Sequence, residues 1–163
     1  MFESLIFVVK GKDMRVVVQR VVAASVRVDE KVVGEISHGL LVYLGIHEQD
    51  DGFLIPKLAQ KLINLRIFND EQGLMNKSVI DVAGHLLVVS QFTLYAETKK
   101  GNRPSYIKAA RPEKAVPLYE QFIEACRSSF EGEVQTGIFG ADMQVQYTND
   151  GPVTIIIDTD QWE

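Results

Sequence analysis

Four consecutive apolar residues, Leu86, Leu87, Val88 and Val89, put the tightest limit on how this chain can fold. Successive side chains of a strand point to opposite faces, so an unbroken apolar run is greasy on both. Such a strand belongs in the middle of a sheet, covered above and below. Two helical stretches are available as cover. Residues 51–65 repeat Leu54, Leu58, Leu62 and Leu65 on one helical face, with Pro56 in the first turn, where a missing N–H costs nothing. Residues 113–130 carry the stripe Tyr119, Phe122, Ile123, Cys126 and Phe130. Strand signals fall at 16–22, 25–28, 32–36 and 40–46, with a hairpin turn at 29–31. A short strand is expected at 66–68 and a long one over 85–95. Three more close the chain at 134–139, 143–148 and 153–158. Two sheets with one helical layer against them would bury both amphipathic stripes.

Composition narrows the class. The 163 residues suit a single domain, and 46% hydrophobic content is ordinary for a globular core. A formal net charge of −5 excludes a global basic field, so any nucleic-acid partner must be met by a local patch. The lone cysteine, Cys126, excludes an internal disulfide framework and is compatible with a reducing cytosol. The apolar run at 5–9 is too short to span a bilayer and lacks the flanks of a signal peptide. Residues 1–13 read as an extension, and Met14 as a fresh beginning.

Several segments could carry chemistry. In a continued strand, Ser90 and Phe92 would share one face, and Gln91 and Thr93 the other. Polar residues thus appear abruptly after the apolar run, as in a site at a strand end or in a strand fraying into a loop. A hydroxyl nucleophile at Ser90 or Thr93 needs a base, and no spacing ties His38, His47 or His85 to either. Those histidines lack metal-ligand spacing, and Cys126 lies on an apolar helical stripe. Lys99, Lys100, Arg103, Lys108, Arg111 and Lys114 invert the local charge, either to track a phosphate backbone or as a solvated loop. Residues 137–143, GIFGADM, suit a close backbone approach beside an apolar pocket, or a plain turn. In TNDGPVTIIID, residues 148–158, a turn precedes a strand; Gly151–Pro152 is a tight hairpin or a working piece of backbone.

Taken in order, SQFTLYA, KGNRPSY, TGIFGADM and NDGPVT resemble the D-aminoacyl-tRNA deacylase family, and MRVVVQRV resembles its amino terminus. The resemblance covers about residues 14–163, which it marks as the deacylase domain. It implies an α/β fold: a layered β/β/α single domain with antiparallel-rich sheets, assembled as a cytoplasmic homodimer. The implied reaction is hydrolysis of the ester joining a D-amino acid, or mischarged glycine, to the 3′ adenosine of tRNA. No metal, other cofactor or membrane is implied. Gly151–Pro152 would be a cis peptide entering the partner subunit's site, its carbonyls gripping the substrate ammonium and its bulk blocking an L side chain. Asn149 would belong to that substrate-binding corner, and Arg20 would anchor it. Ser90, Gln91, Phe92 and Thr93 would form the catalytic segment, with N–H groups near Phe92 and Thr93 facing the oxyanion. Phe139 and Met143 would line the adenine pocket, and the basic stretch would guide the acceptor stem. Thr93 as a covalent nucleophile is the rival mechanism. A non-catalytic RNA-end binder and a small-ester Ser/Thr hydrolase are the rival functions.

Overall fold

The computed structural model describes residues 14–162, so the extension read at residues 1–13 lies outside the described residues. A 14-residue strand, β1 (Arg15–Val28), turns into β2 (Lys31–Ile36) through Asp29 and Glu30, at φ 48° and 65°. Two left-handed residues in a row match the turn to the twist of the flanking strands. β3 (Gly39–Gly45) then returns antiparallel along the first half of β1, from Val21↔Gly39 to Arg15↔Gly45. Helix α1 (Ile55–Asn64) starts with Pro56 in its first turn. A two-stranded ribbon follows, β4 (Phe68–Asn69) with β5 (Met75–Lys77). β6 (His85–Ser90) lies parallel to β3, α2 spans Pro112–Ser129, and β7 (Val134–Thr136) lies parallel to β6. The 15-residue β8 (Gln144–Asp158) pairs antiparallel along the other edge of β1.

The sheet order is β2-β1-β3-β6-β7, with β8 also on β1. Its two ends approach each other: a Cβ on Gly34 of β2 would stand 2.4 Å from the Thr136 carbonyl oxygen of β7. The sheet therefore curls into two β layers. Between them lie Val21, Val26, Ile36, Leu41, Leu87 and Val89. On the outer face Leu40, Val42, Leu86 and Val88 meet Leu58 and Leu62 of α1 and Phe122 and Cys126 of α2. Leu86 to Val89 thus alternate between two dry compartments, as their two-faced apolar run requires. Each such side chain contributes about 1.5–3 kcal/mol by leaving water.

The β/β/α layering follows the sequence, but several element boundaries do not. The two β layers are one hydrogen-bonded sheet, because β1 and β8 run through both. The strands expected at 16–22 and 25–28 are one, since pairing with β8 bridges the gap. Those expected at 143–148 and 153–158 are also one, with Gly151 and Pro152 inside it. The strand expected over 85–95 stops at Ser90, and residues Phe92–Tyr95 wind into a 3-10 turn. The strand expected over 134–139 ends at Thr136, before Gly137.

Gly34 has no room for a side chain because its neighbour is backbone. Gly34→Ala is expected to cost roughly 1–3 kcal/mol by overpacking the junction between the layers. Urea unfolding checks this, with a lowered midpoint and an unchanged slope.

Candidate active site

The segment Ser90–Thr93 sits where β6 leaves the sheet. The Gln91 N–H donates to the Leu44 carbonyl at 2.8 Å, continuing the β3–β6 ladder by one residue. The backbone then tightens: the Leu94 N–H reaches back to the Gln91 carbonyl, and the Ala96 N–H to that of Thr93. The first N–H groups of such a turn have no partner within it. The turn fits against β3 because Gly45 presents no side chain there; a Cβ would lie 3.0 Å from Leu94 Cβ and 3.2 Å from the Gln91 carbonyl oxygen. Ser90, Gln91 and Thr93 are half-buried, while Phe92 is exposed and meets Tyr106 edge-on, ring centroids 5.1 Å apart.

The 137–143 loop is brought to the same end of β6. The Gly137 N–H and the Tyr119 hydroxyl both donate to the Val88 carbonyl, at 3.3 and 2.9 Å. Tyr119 also packs against Phe139, with ring centroids 5.9 Å apart. Burial pushes the Tyr119 phenol up to about 12, so its hydroxyl stays a donor across the working pH range. Met143 packs on the inner cluster that holds Val89, and its Sδ fills the space a Cβ on Gly137 would need. Tyr119 thus joins α2 to β6 and to the 137–143 loop, a link that the sequence showed only as part of a core stripe. Its distinguishing signal was a hydroxyl on an otherwise apolar face.

Gly151 and Pro152 are placed differently. Between the pairs Gln19↔Thr154 and Val21↔Asn149, β1 has only Arg20, while β8 has Asp150, Gly151, Pro152 and Val153. The corner is a bulge thrown out of a continuous ladder, which is where a strand tolerates proline. The Gly151–Pro152 peptide is cis, and Gly151 has φ 121°. Arg20 is 6% exposed. Its Nε donates to the Asp150 carbonyl at 3.3 Å and meets the Asp150 carboxylate at 3.2 Å. Its Nη1 donates to the Ile67 carbonyl at 2.8 Å and to the Asn69 side-chain oxygen at 3.4 Å. Buried guanidinium charge demands such partners. The Asn149 amide completes the brace, donating to the carbonyls of Arg20 and Val153, each at 3.0 Å.

Within one chain the corner and the Ser90–Thr93 turn stand apart. Arg20 is level with Leu40, and Leu40 with Leu86, four residues before Ser90. At about 3.3 Å per residue the offset along the strands is roughly 13 Å. Three strand spacings across the sheet, β8 to β1 to β3 to β6, add a comparable distance.

The model of the D-Tyr-tRNA(Tyr) deacylase family matches residues 17–158. The chain belongs to that family. A D-aminoacyl-tRNA deacylase of Cytophaga hutchinsonii is 58% identical over 146 residues, covering 90% of this chain and 97% of that protein. A solved structure of a c-Myc DNA unwinding element binding protein is 41% identical, with TM-score 0.83 over 88% of this chain and 97% of that one. A probable eukaryotic D-amino acid tRNA deacylase is 19% identical, with TM-score 0.75 over 90% of this chain and 99% of that one, a likeness of fold alone.

The Gln91 side-chain amide donates to the Thr93 hydroxyl. His38 Nε2 lies 2.8 Å from the Val82 carbonyl, and His85 Nδ1 accepts from the Glu133 N–H at 3.2 Å. His47 Nδ1 accepts from the Gln49 N–H, and its ring meets Tyr95 edge-on. Among the described residues, no three His, Cys, Asp or Glu side chains gather as metal ligands, and no helix is long and apolar enough to cross a membrane. Burial pushes the Cys126 thiol from 9.0 up to about 12. The folded thiol keeps a proton that the unfolded one releases, so this contribution to stability is full below pH 9 and lost as pH rises toward 12. Cys126 is expected to resist an aromatic disulfide reagent at pH 8 and to react stoichiometrically once denaturant is added, as followed by absorbance.

Proposed function

We propose that this protein hydrolyses the ester between a D-amino acid and the 3′ adenosine of tRNA, acting as a cytoplasmic homodimer. The observation that carries the reading is its 58% identity, across 97% of the relative's length, to a protein named D-aminoacyl-tRNA deacylase. In the dimer, the Gly151–Pro152 corner of one subunit enters the Ser90–Thr93 site of the other. Three features support this arrangement. The corner is exposed and rigidly braced by Arg20 and Asn149. It stands far from its own chain's turn. It also sits on β8, whose one described strand partner is β1, leaving an edge that a second subunit can cover.

The chemistry asks for geometry rather than reactive side chains. An aminoacyl ester is already activated, and its ribose 2′-hydroxyl is a neighbour able to assist the leaving oxygen or position water. Holding ester and water in register supplies much of the acceleration. N–H groups at the start of the 92–95 turn face the developing oxyanion, and Phe139 and Met143 flank the adenine. The corner carbonyls accept the substrate ammonium. Backbone does not change rotamer, so the same wall excludes every L side chain and admits D residues and glycine; glycyl-tRNA is accordingly a second substrate.

The basic loop serves the acceptor end. Lys108 is paired with Glu97 at 2.6 Å, and Lys114 donates to the Glu48 carbonyl. The bridge between Glu97 and Ser105 closes the loop that presents Lys99, Lys100 and Arg103, all exposed. With Arg111, also exposed, those three would meet phosphates, and the exposed Phe92 and Tyr106 rings would offer stacking faces.

Release of free amino acid from matched D- and L-tyrosyl-tRNA tests the proposal. The D form and glycyl-tRNA are expected to be cleaved and the L form spared. Binding without turnover would support an RNA-end binder, and cleavage of simple esters with covalent labelling would support a Ser/Thr hydrolase. Thr93→Ala is expected to keep activity within about tenfold of the parent, since general positioning and not attack by Oγ carries the rate. Near-complete loss in a folded variant would favour covalent catalysis. Replacing Lys99, Lys100 and Arg103 together with alanine is expected to raise KM and to flatten its salt dependence, with the melting temperature unchanged. The slope is expected to fall by roughly 0.7 for each single-strand phosphate that the variant leaves unneutralised.

A further inference from the structure

The 92–95 turn is held from behind by one side chain that the proposed reaction does not yet use. Arg15 begins β1, and its Nε and Nη2 donate to Oδ2 of Asp158 at 2.9 and 2.8 Å. Its remaining branch, Nη1, donates to the Leu94 carbonyl at 2.8 Å. The guanidinium carbon also stands 5.0 Å from the centre of the Tyr95 ring. One fork therefore grips the end of β8, the last carbonyl region of the turn and the aromatic side chain that roots it.

The position of the Leu94 carbonyl explains why a cation is needed. The closing turn ends with Ala96 N–H on the Thr93 carbonyl, which leaves the Leu94 oxygen unused by the turn itself. Terminal carbonyls of a helical turn carry partial negative charge, and a guanidinium satisfies both the lone pair and the charge. β3 gives no side chain to the task. The residue directly opposite Arg15 is Gly45, whose bare edge admits Leu94 and Tyr95. The Arg15 side chain is thus the clamp over a seat made by Gly45.

We propose that Arg15 is a positioning residue for the deacylation, fixing the height of the Ser90–Thr93 segment above β6 and tying it to β8, the strand that bears the Gly151–Pro152 corner. This rests on the reading of Ser90–Thr93 as the segment that holds the ester. N–H groups aimed at an oxyanion act only when placed to within a fraction of an ångström, and a displacement of about 1 Å can cost on the order of a hundredfold in rate. Arg15 touches no substrate; it acts through the Leu94 carbonyl. Lysine cannot replace it, because a single ammonium does not reach Asp158 and Leu94 in one fixed plane.

The test uses the full chain as Arg15→Met, Arg15→Lys, Arg15→Ala and Asp158→Asn. Amide hydrogen exchange of residues 91–96 is measured beside kcat and KM on D-tyrosyl-tRNA. Arg15→Met is expected to speed exchange in 91–96 selectively and to lower kcat about 10–100-fold with KM changed less than about threefold. Millimolar guanidinium is expected to restore part of the kcat of Arg15→Ala. Asp158→Asn, which keeps the bond to Leu94, is expected to lose less than Arg15→Met. Unchanged exchange in 91–96, or faster exchange with kcat intact, overturns the inference, as does a loss of kcat that guanidinium leaves untouched. Should Arg15→Met fail to fold, Arg15→Lys decides by the same two readouts. A wild-type chain without deacylase activity overturns the functional reading, whereas the exchange result separately decides whether Arg15 fixes the turn.

Discussion

The antiparallel ladder between β1 and β8 runs from Arg15↔Asp158 to Arg27↔Gln144 and is interrupted around Arg20 and Val22. That ladder sets the register of the domain. Its opposite edge carries β3 along one half and β2 along the other, so β1 is common to both β layers. Because β3 carries β6 and β6 carries β7, the heights of Ser90 and Thr136 are fixed by the same strand. A slip of one residue in β1 would exchange its buried and exposed faces, and the Val16, Val18 and Val21, Val26 sets would lose their compartments.

Two of the three arginines of β1 hold main chain beside that ladder, one at its start and one at its interruption. Arg20 is buried at the irregular pairing and holds the 150–153 bulge to the 67–69 segment. Arg15 lies at the regular end and holds the 92–95 turn to Asp158. Both use the planar fork to join pieces of main chain that secondary structure leaves apart. The domain thus holds two backbone features, the turn and the bulge, through guanidinium bonds to main chain. For hydrolysis of an activated ester that arrangement is economical: rigid dipoles need support more than they need reactivity.

Much of the fold was legible in the residues. Leu86 to Val89 demanded two dry faces, and the leucine spacing of 54, 58, 62 and 65 together with the 119–126 stripe named the helices that cover one of them. The misses share a cause. Local propensity put breaks in β1 and β8, but ladder hydrogen bonds to a neighbouring strand carried both across weak spots. It also extended β6 through Thr93, because alternation cannot see that the Leu44 carbonyl takes the Gln91 N–H and that the bare Gly45 edge invites the chain to wind.

By itself the sequence determined the layers, the helices that serve them and, through SQFTL and NDGPVT, the family and its candidate site. These depend on side-chain pattern and on residues with unusual backbone freedom, both written locally. The tertiary structure alone decided that Gly151 and Pro152 stand in a bulge opposite Arg20, that Tyr119 and Gly137 converge on Val88, and that Arg15 spans Asp158 and Leu94. Each of these joins residues far apart in the chain with at least one hydrogen bond to a backbone carbonyl, and a carbonyl is present at every position, so no sequence pattern singles out the one that will be used.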